Sequence, residues 1–152
     1  MTIRRTLLTI AAAALLVGSA TIAKAGEDDI TYRQSLMKAV GGHFKAIALI
    51  AKGQAGDMKD LTIHTDSLAG LAKASMSAFP DKSGPMDGKT STKMDVWEKP
   101  DEFKKVMMAF VAETAKLAEV AKTGDKAAIG AQIGAVGKNT CKACHDGFKE
   151  KN

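Results

Sequence analysis

The chain has 152 residues, 45% apolar and 26% charged, a size and balance that fit one globular domain and exclude a disordered or collagen-like polymer. Its 22 basic against 17 acidic residues give a net charge of +5, yet no block of five or more like charges occurs, so there is no electrostatic footprint for nucleic acid. Only 5% of residues are aromatic, and the abundance of Ala, Lys, Leu and Met favours helix over sheet.

The first element in chain order is an export signal. Met1 to Arg5 is a short basic start, Thr6 to Val17 is apolar, and Ala23-Lys24-Ala25 is a small-residue cleavage pattern before the acidic Gly26-Glu27-Asp28-Asp29. The apolar run falls short of the about 20 residues that span a bilayer. Residues 1–25 therefore read as a signal peptide cleaved after Ala25, with 26–152 as one mature domain exported to the periplasm and not inserted in the membrane. Removing them takes away Arg4, Arg5 and Lys24 and no acid, which leaves 19 basic against 17 acidic residues.

Four amphipathic helices follow. After Asp28 or Asp29 as cap, Ile30, Met37, Val40, Phe44, Ile47 and Ala51 recur mostly at three- and four-residue steps, until Gly53 ends the helix. Asp57 caps a second helix carrying Met58, Leu61, Thr65, Leu68, Ala72 and Phe79, stopped by Pro80. Pro80 to about Trp97 is aperiodic and rich in Pro, Gly, Ser and Thr, which predicts one long loop. Pro100 opens a third helix with Phe103, Val106, Met107, Phe110, Thr114 and Leu117 inward, ending at Gly124. Asp125 caps a fourth with Ile129, Ile133, Val136, Thr140, Cys144 and Phe148. No period-two run is present, so the expected fold is all-α, an antiparallel four-helix bundle.

The chemistry lies in Cys141-Lys142-Ala143-Cys144-His145, the C-x-x-C-H pattern of covalent c-type haem attachment. On a helix, positions 141, 144 and 145 share one side, so two sulfurs can grip a porphyrin edge while His145 reaches the iron. The bundle would then enclose the haem. Structural zinc would want four ligands, and the remaining histidines His43 and His64 are remote in sequence; these two read as solvated or packed. A redox dithiol would want a preceding strand, and a plain disulfide leaves His145 unexplained.

With Tyr32-Arg33-Gln34-Ser35-Leu36-Met37-Lys38 in the first helix, Trp97 before the third, and the haem motif near the C-terminus, residues 30–150 resemble the class II cytochromes c. The resemblance implies a haem c bundle in which Met37 faces the distal side of the iron. In the five-coordinate members, cytochrome c' proper, a residue that does not ligate stands there and the iron is open to small gases; in low-spin members a methionine binds. Arg33 to Met37 spells Arg-x-x-x-Met, which resembles the low-spin branch.

The sequence-based expectation is thus a periplasmic monohaem one-electron carrier and not an enzyme, with a six-coordinate, low-spin iron held by His145 and Met37. The alternative is a five-coordinate protein binding nitric oxide or carbon monoxide, with Met37 as a distal wall. Arg33, one turn before Met37, would pair with a haem propionate, and Lys149 stands where many relatives have arginine. The expected partners are redox proteins of a respiratory or photosynthetic chain. Monomer and homodimer both stay open, Gly41-Gly42 allowing close approach through the first helix.

Overall fold

The computed structural model describes residues 17–151, with side chains from residue 26 onward. Helix α1 is Val17–Ala51, α2 is Leu61–Ser75, a short α3 is Asp95–Glu98, α4 is Pro100–Lys122, α5 is Lys126–Val136 and α6 is Ala143–Phe148. The four long elements close a ring: α1 packs on α2, α2 on α4, α4 on α5 and α5 back on α1. The all-α four-helix bundle is as expected, and no sheet is formed among the described residues. An isolated antiparallel bridge joins Thr92 to Lys149.

The apolar stripes meet along the axis. Ile47, Leu68, Leu117 and Val136 are wholly inaccessible, and Val40, Ile50, Leu61, Met107 and Ile129 join them in one core. Each buried aliphatic side chain of this kind is worth about 1.5–3 kcal/mol of transfer free energy. Polar residues on the same stripes are satisfied within their own helices: the Thr114 hydroxyl donates to Phe110 O at 2.8 Å and that of Ser75 to Leu71 O at 2.8 Å.

The helix ends are partly those read from sequence. Asp125 Oδ1 accepts from the amides of Ala127 and Ala128, at 2.9 and 3.1 Å, and Gly124 takes φ +70°, the left-handed conformation that suits glycine after a helix. Asp57 accepts from Lys59 N at 3.0 Å, but caps a 3₁₀ turn, Met58–Asp60, which leads into α2.

Four expectations are corrected. Helix α1 has no cap at Asp28 or Asp29; it runs unbroken from Val17 through Ala25, because Ala-rich sequence supplies no stop signal. Of the proposed signal peptide, residues 1–16 lie outside the described residues. Helix α2 ends at Ser75 rather than at Phe79, the chain leaving in turns with Met76 N bonded to Lys73 O and Ala78 N to Ser75 O. The long loop contains α3, which its aperiodic composition hid. The fourth helix is interrupted: Gly137–Lys142 forms a π-helical turn between α5 and α6, a departure from α geometry that recurs at functional sites.

No helix among the described residues is long and apolar enough to cross a membrane. Gly26 is built into the bundle, since it is buried and a Cβ there would lie 2.5 Å from Lys82 O. Only glycine fits that approach.

Candidate functional site

The π-helical turn and α6 form one wall of a cavity of about 560 Å³, inside the size range of cofactor sites. Thr140, Cys141, Cys144, His145 and Phe148 line this wall. Opposite stand Met37, Val40, Gly41 and Phe44 of α1, while Phe103, Met107 and Phe110 of α4 close a third side. The walls are chiefly apolar; Gln34, Lys38 and Lys149 also border it and supply polar and cationic groups suited to a carboxylate-bearing edge.

Local sequence explains the placement of the thiols. Thr140, buried on the inward stripe, donates its hydroxyl to Val136 O at 2.6 Å across the start of the π-helical turn. Cys141 ends up half-buried and packed against the apolar core, Cys144 half-buried one turn on. Both are free thiols rather than a disulfide. Burial, and then proximity to Cys141, pushes the Cys144 thiol up to about 11, so it is neutral at pH 7. Burial and then Lys149 hold His145 below its ordinary value, against the opposing pull of Asp146. A neutral imidazole presents a lone pair to a metal.

A second layer ties the loop over this end. Lys93 N bonds Phe148 O at 3.0 Å and Glu150 N bonds Ser91 O at 2.8 Å, either side of the Thr92 to Lys149 bridge. Phe79, Phe103 and Phe148 stack edge to face, with ring centroids 4.7 and 5.2 Å apart along the series. Phe79, Thr90, Ser91 and Thr92 all border the cavity. Sequence reading missed the threonine and serine contribution, for which an aperiodic loop holds no signal; the three phenylalanines were marked as inward without being joined.

Arg33 borders the cavity and is also bonded into the loop. It is 2% exposed, and its terminal nitrogens donate to Ala78 O at 3.2 Å, to Ser83 Oγ at 2.8 Å, to Ser83 O at 2.7 Å and to Thr90 Oγ1 at 3.3 Å. The guanidinium also lies 5.1 Å from the Phe79 ring centre. Those four bonds tie it to the loop through its two terminal nitrogens, while the side chain still borders the cavity. Trp97 stands outside the cavity: its Nε1 donates to Pro80 O at 3.3 Å, and its ring lies against Gly84. His43 and His64 are also absent from the lining.

The residues present fit a covalently attached haem. Two thiols and an imidazole stand on one wall, the remaining walls are apolar, and cationic side chains border the same space. Among the described residues no group of three or more His, Cys, Asp or Glu offers a rival metal centre.

Comparison with known proteins agrees with this arrangement. Residues 28–149 match the family described as Cytochrome C'. The cytochrome c' of Pararhodospirillum photometricum is 36% identical over 121 residues, covering 80% of this chain and 95% of the relative. That of Rubrivivax gelatinosus is 38% identical over 125 residues, covering 82% and 95%. Among solved structures, a ferrous variant of cytochrome c prime from Alcaligenes xylosoxidans with bound NO superposes with a TM-score of 0.73 at 32% identity, over 84% of this chain and 97% of that one.

These matches overturn the expectation of a six-coordinate, low-spin iron held by His145 and Met37, while a general role in electron transport stands. The matched family is the five-coordinate division of class II, and a ferrous variant of one member is solved with bound NO, a ligand that needs an open position on the iron. A thioether already bonded there would have to leave first. The chain belongs to the cytochrome c' family, c-type cytochromes of electron transport that carry one covalently bound haem c and work outside the cytoplasm.

Proposed function

We propose that the protein is a periplasmic, five-coordinate monohaem cytochrome c' that binds nitric oxide or carbon monoxide at ferrous iron, by binding rather than by turnover. The observation that carries this reading is the composition of the wall facing the thiols. Met37, Val40 and Phe44 present apolar side chains there, with Gln34 and Lys38 bordering the same space and no carboxylate among the lining residues to act as a base on a bound ligand.

In this reading Cys141 and Cys144 anchor the haem through thioethers and His145 is the proximal iron ligand. Haem supplies a metal centre that changes oxidation state and takes up small diatomic gases. The chain supplies the rest. Phe103, Met107 and Phe110 exclude water from one side, and Met37, Val40 and Phe44 line the cavity from α1. An apolar wall admits neutral diatomics and disfavours charged or strongly hydrated ligands.

The signal peptide, cleavage after Ala25 and export to the periplasm belong to the same proposal, since haem attachment to a C-x-x-C-H motif goes with an exported chain. Redox partner proteins would set the oxidation state of the iron. Monomer and homodimer both fit this reading, exposed Gly42 of α1 leaving open space for a close approach.

The reading is tested on the haem-loaded protein by exchanging Met37 for Ala. Wild type should be high-spin in the ferric state before any change. The Ala variant should keep that spin state and bind carbon monoxide at least tenfold faster, the wall having been cut back. A low-spin wild type that turns high-spin on substitution would reject the reading.

A further inference from the structure

His43 on α1 and His64 on α2 are unused by the haem site, yet the bundle brings them together. Their Nδ1 atoms lie 3.1 Å apart, the ring centres 5.2 Å apart and the ring planes 59° to one another. Both residues are half-buried. They flank buried core residues, between Val40 and Ile47 on α1 and beside Thr65 and Leu68 on α2, so their backbones are firmly held.

Two imidazole nitrogens so close have two uses. One can donate its proton to the other, or both can turn their lone pairs to one cation. Two metal–nitrogen bonds of about 2.0–2.1 Å, opened to roughly 100°, span the separation seen here. The two helices therefore already hold the nitrogens at the bite of a chelate, and small rotations of the rings would aim both lone pairs at a common point. Among the described residues no third His, Cys, Asp or Glu joins them. Partial exposure lets water complete the coordination shell.

We propose that His43 and His64 form a second metal site, separate from the haem, which binds one divalent first-row transition ion across α1 and α2. Imidazole donors suit Zn²⁺, Cu²⁺ and Ni²⁺ and discriminate against Mg²⁺ and Ca²⁺. An ion bound by two helices favours the folded state in which they are adjacent, so it raises the melting temperature.

The test uses the haem-loaded protein, in which His145 and both thiols are already engaged. Calorimetric titration with Zn²⁺ should show one strong site per chain, weakened at least tenfold in His43→Gln and in His64→Gln. Zn²⁺ should raise the melting temperature of wild type and leave that of the double variant unchanged. Pulsed electron paramagnetic resonance on ferric wild type with one equivalent of Cu²⁺ should report two coupled imidazoles, a readout that needs no variant to fold. Zinc binding that is equal in wild type and the double variant would overturn the proposal by placing the ion on surface carboxylates. Absence of strong binding, or a copper signal with fewer than two imidazoles, would overturn it by leaving the pair as a hydrogen bond.

Discussion

Replacing Cys141 and Cys144 together by alanine should abolish covalent haem retention, so that a denaturing gel stained for haem loses its signal entirely. These are the chain's two cysteines, both border the cavity, and no other side chain can form a thioether to a vinyl group. Each single variant keeps one thiol and should retain a weaker haem band, with the visible spectrum of the unfolded product shifted by the vinyl group left unreacted. Loss of haem also removes the group that fills the space between α1, α4 and α6. The double variant should therefore melt well below wild type, because a cavity of about 560 Å³ lined by Phe and Met would have to collapse or take in water. An undiminished haem band in the double variant would disprove the attachment.

Arg33→Leu should destabilise the haem-loaded protein by about 3 kcal/mol, read from the midpoint of urea unfolding at unchanged slope. The guanidinium is buried without a carboxylate bonded to it, and burial lowers its pKa, with Asp29 opposing that shift. What offsets the desolvation is a set of four donors satisfying Ala78, Ser83 and Thr90. Leucine would leave the carbonyls of Ala78 and Ser83 without this partner, and each orphaned buried acceptor costs about 1–3 kcal/mol. Lysine should recover little, since one ammonium cannot reach the same forked geometry. Amide exchange should accelerate between Pro80 and Thr92, the segment that Arg33 holds over the haem end. If Arg33 instead served a propionate, substitution would shift the haem spectrum and leave exchange in that loop unaltered.

The bundle was legible in the sequence because one helical stripe needs only local information. Ile47, Leu68, Leu117, Ile129 and Val136 repeat at helical spacing, and all five are buried. The haem motif was legible for the same reason, its three chemical groups lying within five residues. Long-range partners were not. Arg33 reads from sequence as a surface or propionate-facing charge, and its actual partners lie 45 to 57 residues further on. The early end of α2 at Ser75 and the short α3 lie in an aperiodic stretch whose composition encodes neither. The π-helical turn is a matter of one extra residue per turn, below what apolar spacing resolves.

Met37 shows the limit most clearly. Met37 lines the same cavity as the thiols. A methionine that binds iron and one that packs beside Val40 and Phe44 have the same spacing and the same neighbours, and differ by a small displacement of α1. Composition and period are blind to that displacement, and it was kinship with the cytochromes c' that corrected the ligation.

The most direct measurement is the absorption spectrum of the dithionite-reduced, haem-loaded wild type, recorded before and after saturation with carbon monoxide. The proposed function predicts a high-spin ferrous spectrum that shifts fully to a carbon monoxide complex at one gas molecule per haem. A sharp low-spin ferrous spectrum that carbon monoxide leaves unchanged would contradict it.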